Sequence, residues 1–105
     1  MNEELMTYLD AIDALQNGLC VARKGWNGQN LFVCKQVEST ITKDIIPKMQ
    51  SLPQSAKNIL GIYDIHPITY KNQMIIINLI TKEINSWVAS SSDTFAKDWF
   101  IYEVK

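Results

Sequence analysis

Gln73-Met74-Ile75-Ile76-Ile77-Asn78-Leu79-Ile80 is the strongest β-strand signal in this chain of 105 residues. Side chains alternate between the two sides of a strand, and here both sides are apolar. The first side holds Met74, Ile76 and Ile80, and the second holds Ile75, Ile77 and Leu79. A strand that is apolar on both faces needs cover on both sides. Because a domain this small rarely has two cores, we expect a second subunit to cover one face.

Further strands are predicted from apolar runs bounded by turn residues, at 19–23, 31–37, 65–70, 84–89 and 99–104. The first two are joined by residues 24–30, which contain two glycines and two asparagines and therefore predict a hairpin-like loop. Residues 65–70 are predicted to pair with 73–80 across Lys71-Asn72.

Helices are predicted at both ends of the chain. Residues 3–17 have apolar side chains at helical spacing, and Gly18 is suited to a left-handed C-terminal cap. Ser92 or Asp93 is expected to cap a short helix that runs through Asp98. Residues 38–61 are expected to form an irregular, helix-containing insertion. The chain is therefore predicted to be a single α+β domain over 1–105: a mostly antiparallel sheet with an N-terminal helix and short additional helices.

Composition excludes several classes of protein. A formal net charge of −1 argues against general binding to polymeric nucleic acid. Neither a secretory signal nor an apolar run of membrane-spanning length is present, so we expect a cytoplasmic protein without membrane contact. Cys20 and Cys34 lie in apolar runs and are expected to be reduced core residues.

Residues for catalysis or metal binding are sparse. His66 is the one histidine, and no cysteine or serine motif surrounds it. Asp93 and Asp98 could form a carboxylate pair, but on one short helix they would point in different directions. Ligand spacing for a metal and fingerprints for phosphate loops or dinucleotide folds are missing. We therefore predict no catalytic residue, no metal site and no cofactor.

Two stretches place tryptophan beside glycine and small polar residues, namely Ala22–Gly28 and Trp87–Trp99. For Trp26 and Trp87, stacking on a ligand or an interface role is as plausible as simple packing, whereas Trp99 is expected in the core. Arg23 is the only arginine, and an anion contact or a buried ion pair is favoured over a solvated side chain.

These stretches resemble the second Thoeris anti-defence family. The resemblance rests on Ala22-Arg23-Lys24-Gly25-Trp26-Asn27-Gly28, on Tyr70-Lys71-Asn72-Gln73, and on Trp87, Ser90, Asp93, Ala96, Asp98 and Trp99. It spans nearly the whole chain, although residues 38–61 are longer and more helical than in the shortest members. The family consists of small phage and prophage proteins that bind cyclic ADP-ribose isomers made by bacterial Thoeris TIR proteins. Members assemble as homotetramers, and some also hold cyclic oligonucleotide signals of CBASS defence.

The resemblance implies a sponge that sequesters a cyclic ADP-ribose isomer of the gcADPR type in the cytoplasm of the infected host, without degrading it. The implied ligand-binding residues are Arg23, Trp26, Asn27, Gln73, Trp87, Ser90, Ser92 and Asp93. Trp26 would stack on adenine, short polar side chains would bind ribose, and Arg23 with backbone N–H groups would meet the pyrophosphate. Two alternatives stay open: a small oligomeric protein-interaction domain without a nucleotide ligand, and an enzyme that hydrolyses the signal.

Overall fold

The computed structural model describes residues 4–26 and 30–103. The chain packs into two compact units, one made of Met1–Gln36 with Gln73–Lys105 and the other of Val37–Asn72. Helices and antiparallel strands are both present, which confirms the predicted α+β class. Within the described ranges, no helix has the length and apolar character needed to cross a membrane.

The first unit is a five-stranded antiparallel sheet with two helices. Its strands are β1 (Val21–Arg23), β2 (Leu31–Lys35), β5 (Met74–Asn78), β6 (Glu83–Ser86) and β7 (Trp99–Ile101), in the spatial order β6-β5-β2-β1-β7. Its helices are α1 (Tyr8–Gln16) and α3 (Ser91–Phe95). The central strand β2 pairs with β1 through Val33 and Val21 and with β5 along its whole length.

Helix α1 begins later than the sequence predicts. Thr7 and Asp10 form a capping box. The side chain of Thr7 accepts from the backbone N–H of Asp10, and the side chain of Asp10 accepts from the backbone N–H of Thr7. The chain before it is extended, because Met6 and Trp99 exchange backbone hydrogen bonds of 2.8 and 3.2 Å. Gly18 follows the helix with φ +82°, which confirms the predicted left-handed cap.

Helix α1 covers one face of the sheet and builds the core there. Trp99, Val21 and Val33 are the largest fully buried side chains, and they pack with Ala11 and Leu15 of the helix. Because side chains alternate along each strand, the neighbours of these residues point to the opposite side. We call that side the second face; it carries Ala22, Phe32, Cys34, Ile75, Ile77, Ile84 and Phe100.

The second face remains apolar at the surface of this unit. Ile84 is 63% exposed, whereas Phe32, Ile75 and Ile77 are half-buried. The ring of Phe32 stacks on Tyr102 with 5.1 Å between the centroids. Helix α1 lies on the other side of the sheet, so it does not cover this face.

The second unit pairs two short strands, β3 (Ser39–Ile41) and β4 (Ile68–Tyr70), and contains helix α2 (Gln54–Ile62). The predicted hairpin between 65–70 and 73–80 is therefore wrong. β4 pairs with β3, and β5 pairs with β2 and β6 instead. β2 offers an apolar ladder as long as β5 itself, which β4 cannot match.

The helical character predicted for residues 38–61 is confirmed, but strand β3 was not predicted. Helix α2 begins after Pro53 and continues to Ile62. The remaining strands lie close to their predicted ranges. β1, β2, β5 and β7 fall inside them, and β6 begins at Glu83 rather than Ile84.

Candidate functional site

Arg23 binds two carboxylates at the edge of the first unit. Its Nε donates to Asp98 Oδ1 at 2.9 Å, and its Nη1 donates to Asp93 Oδ1 at 2.8 Å. The second oxygen of each carboxylate also accepts a backbone hydrogen bond, from Gly25 at 2.8 Å and from Ser90 at 3.0 Å. We call Arg23, Asp93 and Asp98 the arginine cluster.

Local structure explains why these side chains meet. Arg23 is the last residue of β1 and pairs with Trp99, the first residue of β7, so Asp98, directly before that strand, lies beside it. Ser90 caps α3 in a second capping box with Asp93, which is therefore the third residue of the helix. The predicted caps Ser92 and Asp93 are thus both wrong, since Ser90 occupies that position.

The prediction that Asp93 and Asp98 point in different directions is also wrong. It assumed one helix through Asp98, but α3 ends at Phe95 and Ala96 is extended, with φ −67° and ψ 148°. The chain therefore reverses and brings Asp98 back to the guanidinium that Asp93 already binds.

Electrostatics favour the charged forms in this cluster. The hydrogen bond from Arg23 is the main reason that the pKa of Asp98 is lowered. Burial alone would raise the pKa of Asp93, but hydrogen bonds from Ser90 and Arg23 outweigh it, so that pKa is lowered as well. Hydrogen bonds to Asp98 and then Asp93 raise the pKa of Arg23. Burial raises the pKa of Tyr8, with a smaller contribution from the charge of Asp93.

Three tryptophans pack edge to face next to the arginine cluster, and we call them the tryptophan cluster. The ring centroids of Trp26 and Trp99 are 5.5 Å apart, those of Trp87 and Trp99 are 5.9 Å apart, and those of Trp26 and Trp87 are 6.5 Å apart. Trp99 is fully buried, as predicted, and its indole N–H donates to the backbone oxygen of Asp93 at 2.9 Å. Trp26 and Trp87 are half-buried, so each keeps part of its ring at the surface.

The structure brings together five of the residues that the sequence analysis proposed as ligand-binding: Arg23, Trp26, Trp87, Ser90 and Asp93. Ser92 is exposed in the first turn of α3. Gln73 precedes β5, where its side chain donates to Gln36 at 2.9 Å and accepts from Ser86 at 3.3 Å. Asn27 lies outside the described residues. Whether any of them contacts a ligand stays a prediction.

Of the two favoured roles for Arg23, the buried ion pair is the one observed. One guanidinium with two carboxylates has a net charge of −1, so its attraction for a phosphate is offset by the two aspartates. Sequence reasoning missed two members of this arrangement, Asp98 and the backbone N–H of Gly25. The position of Asp98 directly before Trp99 is the feature that could have identified it as a partner of Arg23. That inference requires knowing that β7 pairs with β1.

The second unit contains a cleft of about 670 Å³ that the sequence analysis did not foresee. Polar side chains line it together with apolar residues of α2; the polar ones are Lys43, Gln54, Lys57, Asn58, Asp64 and His66. Asp64 joins two of them, with Lys43 Nζ at 3.5 Å and His66 Nε2 at 3.0 Å. Among the described residues of the chain, no group of three or more His, Cys, Asp or Glu side chains could hold a metal ion.

Comparison with known proteins gives two matches. A sequence model of the Tad2-like family, described as Thoeris anti-defense 2-like domain, matches residues 6–102. A curated relative, Thoeris anti-defense 2 of Bacillus phage SP01, is 28% identical over 96 residues, which cover 91% of this chain and 93% of that protein. The family match extends over the arginine and tryptophan clusters.

The close approach at Gly25 leads to a first prediction. A Cβ at this position would lie 3.0 Å from Asp98 Oδ2 and 3.2 Å from Arg23 Nη2. Gly25→Ala must therefore displace the carboxylate, and we expect a loss of about 1–2 kcal/mol in the free energy of unfolding. Gly61→Ala is the matched control, because nothing lies within 4 Å of its Cβ and alanine favours the helix by up to about 1 kcal/mol. The measurement is unfolding in denaturant. If Gly25→Ala and wild type have the same free energy of unfolding, the close packing at Gly25 is contradicted.

The arginine cluster predicts a loss of stability in acid. Because the pKa values of Asp93 and Asp98 are lowered by folding, their contribution is present above the unfolded value of about 4 and is lost as the pH falls through the folded values. Asp98→Asn should cost about 1–3 kcal/mol at neutral pH, since it removes a charge-assisted hydrogen bond.

This difference should shrink as the pH falls from neutral to below the unfolded value of about 4, because the carboxyl of the wild type becomes protonated as well. Asp13→Asn, on the exposed side of α1, is the control and should unfold like wild type at neutral pH. Thermal unfolding followed by circular dichroism measures all three proteins. A constant gap between Asp98→Asn and wild type across this range would contradict the assignment.

Proposed function

Because the chain belongs to the Tad2-like family of Thoeris anti-defense 2-like domains, we propose that it counters bacterial Thoeris defence by sequestering a cyclic ADP-ribose isomer of the gcADPR type. Family membership over residues 6–102 is the observation that carries this proposal. The ligand is held and not cleaved, so the effector downstream of the TIR signal stays inactive. This requires action in the cytoplasm of the infected bacterium, where the signal is made.

The exposed parts of Trp26 and Trp87 are the surface on which we place the adenine. Both rings are half-buried and held edge to face against Trp99, so their orientation is fixed before any ligand arrives. A fixed aromatic surface loses little side-chain entropy on binding, and stacking on it contributes roughly 1–3 kcal/mol per base.

The ribose and pyrophosphate need other partners. We assign the ribose hydroxyls to Ser90 and Ser92 near the start of α3, with Asn27 and Gln73 as further candidates. We now assign Arg23 a positioning role and not direct phosphate contact, because Asp93 and Asp98 already neutralise it. The phosphates therefore depend on donors outside the arginine cluster.

Self-association is the second part of the proposal. The second face of the sheet carries aromatic and isoleucine side chains, and Ile84 is 63% exposed. Burying apolar area contributes about 25 cal/mol per Å², so pairing this face with a second copy would stabilise a dimer. Two such dimers would form the homotetramer that the family resemblance implies.

A protein-interaction domain without a nucleotide ligand remains the competing function. The apolar second face would then bind a host protein, and the tryptophan cluster would serve only packing. An enzyme that hydrolyses the signal is the third possibility. Incubation with the cyclic nucleotide followed by heat denaturation separates these cases, because a sponge returns the ligand intact and an enzyme returns product.

We predict nanomolar binding of at least one cyclic ADP-ribose isomer, roughly −12 kcal/mol by calorimetry, since a sponge must compete with a sensitive receptor. Trp26→Ala should lose about 1–3 kcal/mol of this affinity. It should also melt at a lower temperature, because the ring packs against Trp99. Binding is therefore measured well below the melting temperature of the variant.

Phe95→Ala is the matched control, because this aromatic residue of α3 is 81% exposed. It should bind and melt like wild type. If the wild type binds every isomer with only millimolar affinity, the sequestration proposal is wrong. If Trp26→Ala binds as tightly as the wild type, the ligand does not stack on Trp26. A cyclic oligonucleotide whose binding survives Trp26→Ala would occupy a separate site.

For self-association, we predict that light scattering gives a wild-type mass clearly above the 12.0 kDa of one chain at micromolar concentration. Ile84→Lys puts a charge on the second face and should shift the mass toward the monomer, because the charge would be desolvated in the interface. Leu9→Lys is the control, since Leu9 is 80% exposed on helix α1, which lies on the other side of the sheet. A wild-type monomer, or an Ile84→Lys variant that assembles normally, would refute this use of the face.

A further inference from the structure

Cys20, the residue before β1, lies opposite Cys34 of β2 when the register of the two strands is extended by one residue. Val21 pairs with Val33 in antiparallel register, so the residue before Val21 faces the residue after Val33. Both cysteines lie on the second face of the sheet, one residue out of phase with the buried valines. Both are half-buried free thiols.

The backbone hydrogen bonds fix the type of this pair. The carbonyl of Cys20 accepts from Tyr102 at 2.9 Å, so the polar backbone groups of Cys20 point toward β7. In β2, the N–H of Gln36 donates to Gln73 at 2.8 Å, toward β5. The backbone N–H and C=O groups point to alternate sides from one residue to the next. Those of Cys34, two residues before Gln36, therefore also point toward β5. The two cysteines therefore form a non-hydrogen-bonded pair.

Such a pair has the spacing that a disulfide requires. Directly opposed Cα atoms at non-hydrogen-bonded positions are about 4.5 Å apart, which is inside the range that disulfides span. Burial raises the pKa of Cys34, and Cys20 raises it further, which is expected only if the two sulfur groups lie close together.

We propose that Cys20 and Cys34 are a reversible dithiol–disulfide pair that small disulfides such as oxidised glutathione convert to a cross-strand bond. The thiolate of Cys20 attacks one glutathione sulfur, which forms a mixed disulfide and releases one reduced glutathione. The thiolate of Cys34 then attacks the sulfur of Cys20, closes the protein disulfide and releases the second. The protein loses two electrons and two protons, and oxidised glutathione gains both.

The bond would close a ring that contains the whole β1–β2 connection, including Trp26. A ring of this length removes conformations from the unfolded chain, so oxidation should raise the melting temperature, roughly by 5–10 °C. It would also restrain the hairpin that holds one edge of the tryptophan cluster. The proposal does not depend on which ligand the protein binds. Both thiols lie on the face that we propose for self-association, so the reaction with glutathione belongs to the unassembled chain, in which that face is open.

The test uses folded protein that is diluted until light scattering gives the mass of one chain. It treats this protein with oxidised glutathione, blocks the remaining thiols and measures the intact mass without reduction. We expect wild type to lose the mass of two hydrogen atoms, to carry no glutathione and to yield one peptide pair linked through Cys20 and Cys34. Cys34→Ser lacks the second thiol, so it should retain a glutathione adduct on Cys20. Cys20→Ser/Cys34→Ser should keep its mass and melting temperature under the same treatment.

A parallel reaction in denaturant reports whether folding brings the thiols together. The internal bond should form at least tenfold more slowly there, on the order of the loss in effective concentration. Wild type that ends as a glutathione adduct or as disulfide-linked dimers would overturn the proposal. So would an internal bond that forms as fast in denaturant as in the native protein.

Discussion

The ion pairs of Arg23 join three parts of the chain that are far apart in sequence. The guanidinium at the end of β1 binds Asp93 in α3 and Asp98 before β7, at 70 and 75 residues of separation. The same aspartates bind the backbone of Ser90 and Gly25, so the turn after β1 and the start of α3 are fixed together. The tryptophan cluster depends on this arrangement, because Trp26 and Trp87 sit in the segments that it connects.

Charge alone does not explain the stability of such a cluster. Exposed ion pairs contribute little, whereas partly buried charges are costly if a partner is missing. Here the side chains are 18%, 12% and 28% exposed, and every carboxylate oxygen has a donor. The cluster is therefore stable only as a complete set, which favours one arrangement of the loop and the helix over alternatives in which one partner is lost.

The sequence predicts the local parts of this structure and misses the distant ones. Strand β5 and the cap at Gly18 follow from residues within one short window, and both were predicted correctly. The partner of β5 is β2, about 40 residues earlier, and no local pattern distinguishes it from the adjacent β4. Asp98 was missed for a related reason. Its approach to Arg23 follows from β7 pairing with β1 and from the end of α3 at Phe95.

For the ligand proposed above, the neutralised arginine changes how recognition would work. An anion that met a free Arg23 would be bound mainly by charge, and many phosphates would compete for it. Here the charge of Arg23 is shared between Asp93 and Asp98, and these aspartates hold the backbone of Ser90 and Gly25. The arrangement thereby also fixes the neighbouring aromatic rings. Selectivity would then arise from the shape and stacking of a fixed aromatic surface, on which one cyclic isomer can fit and another cannot. A small protein without a strong positive charge can in this way discriminate among anions of equal charge.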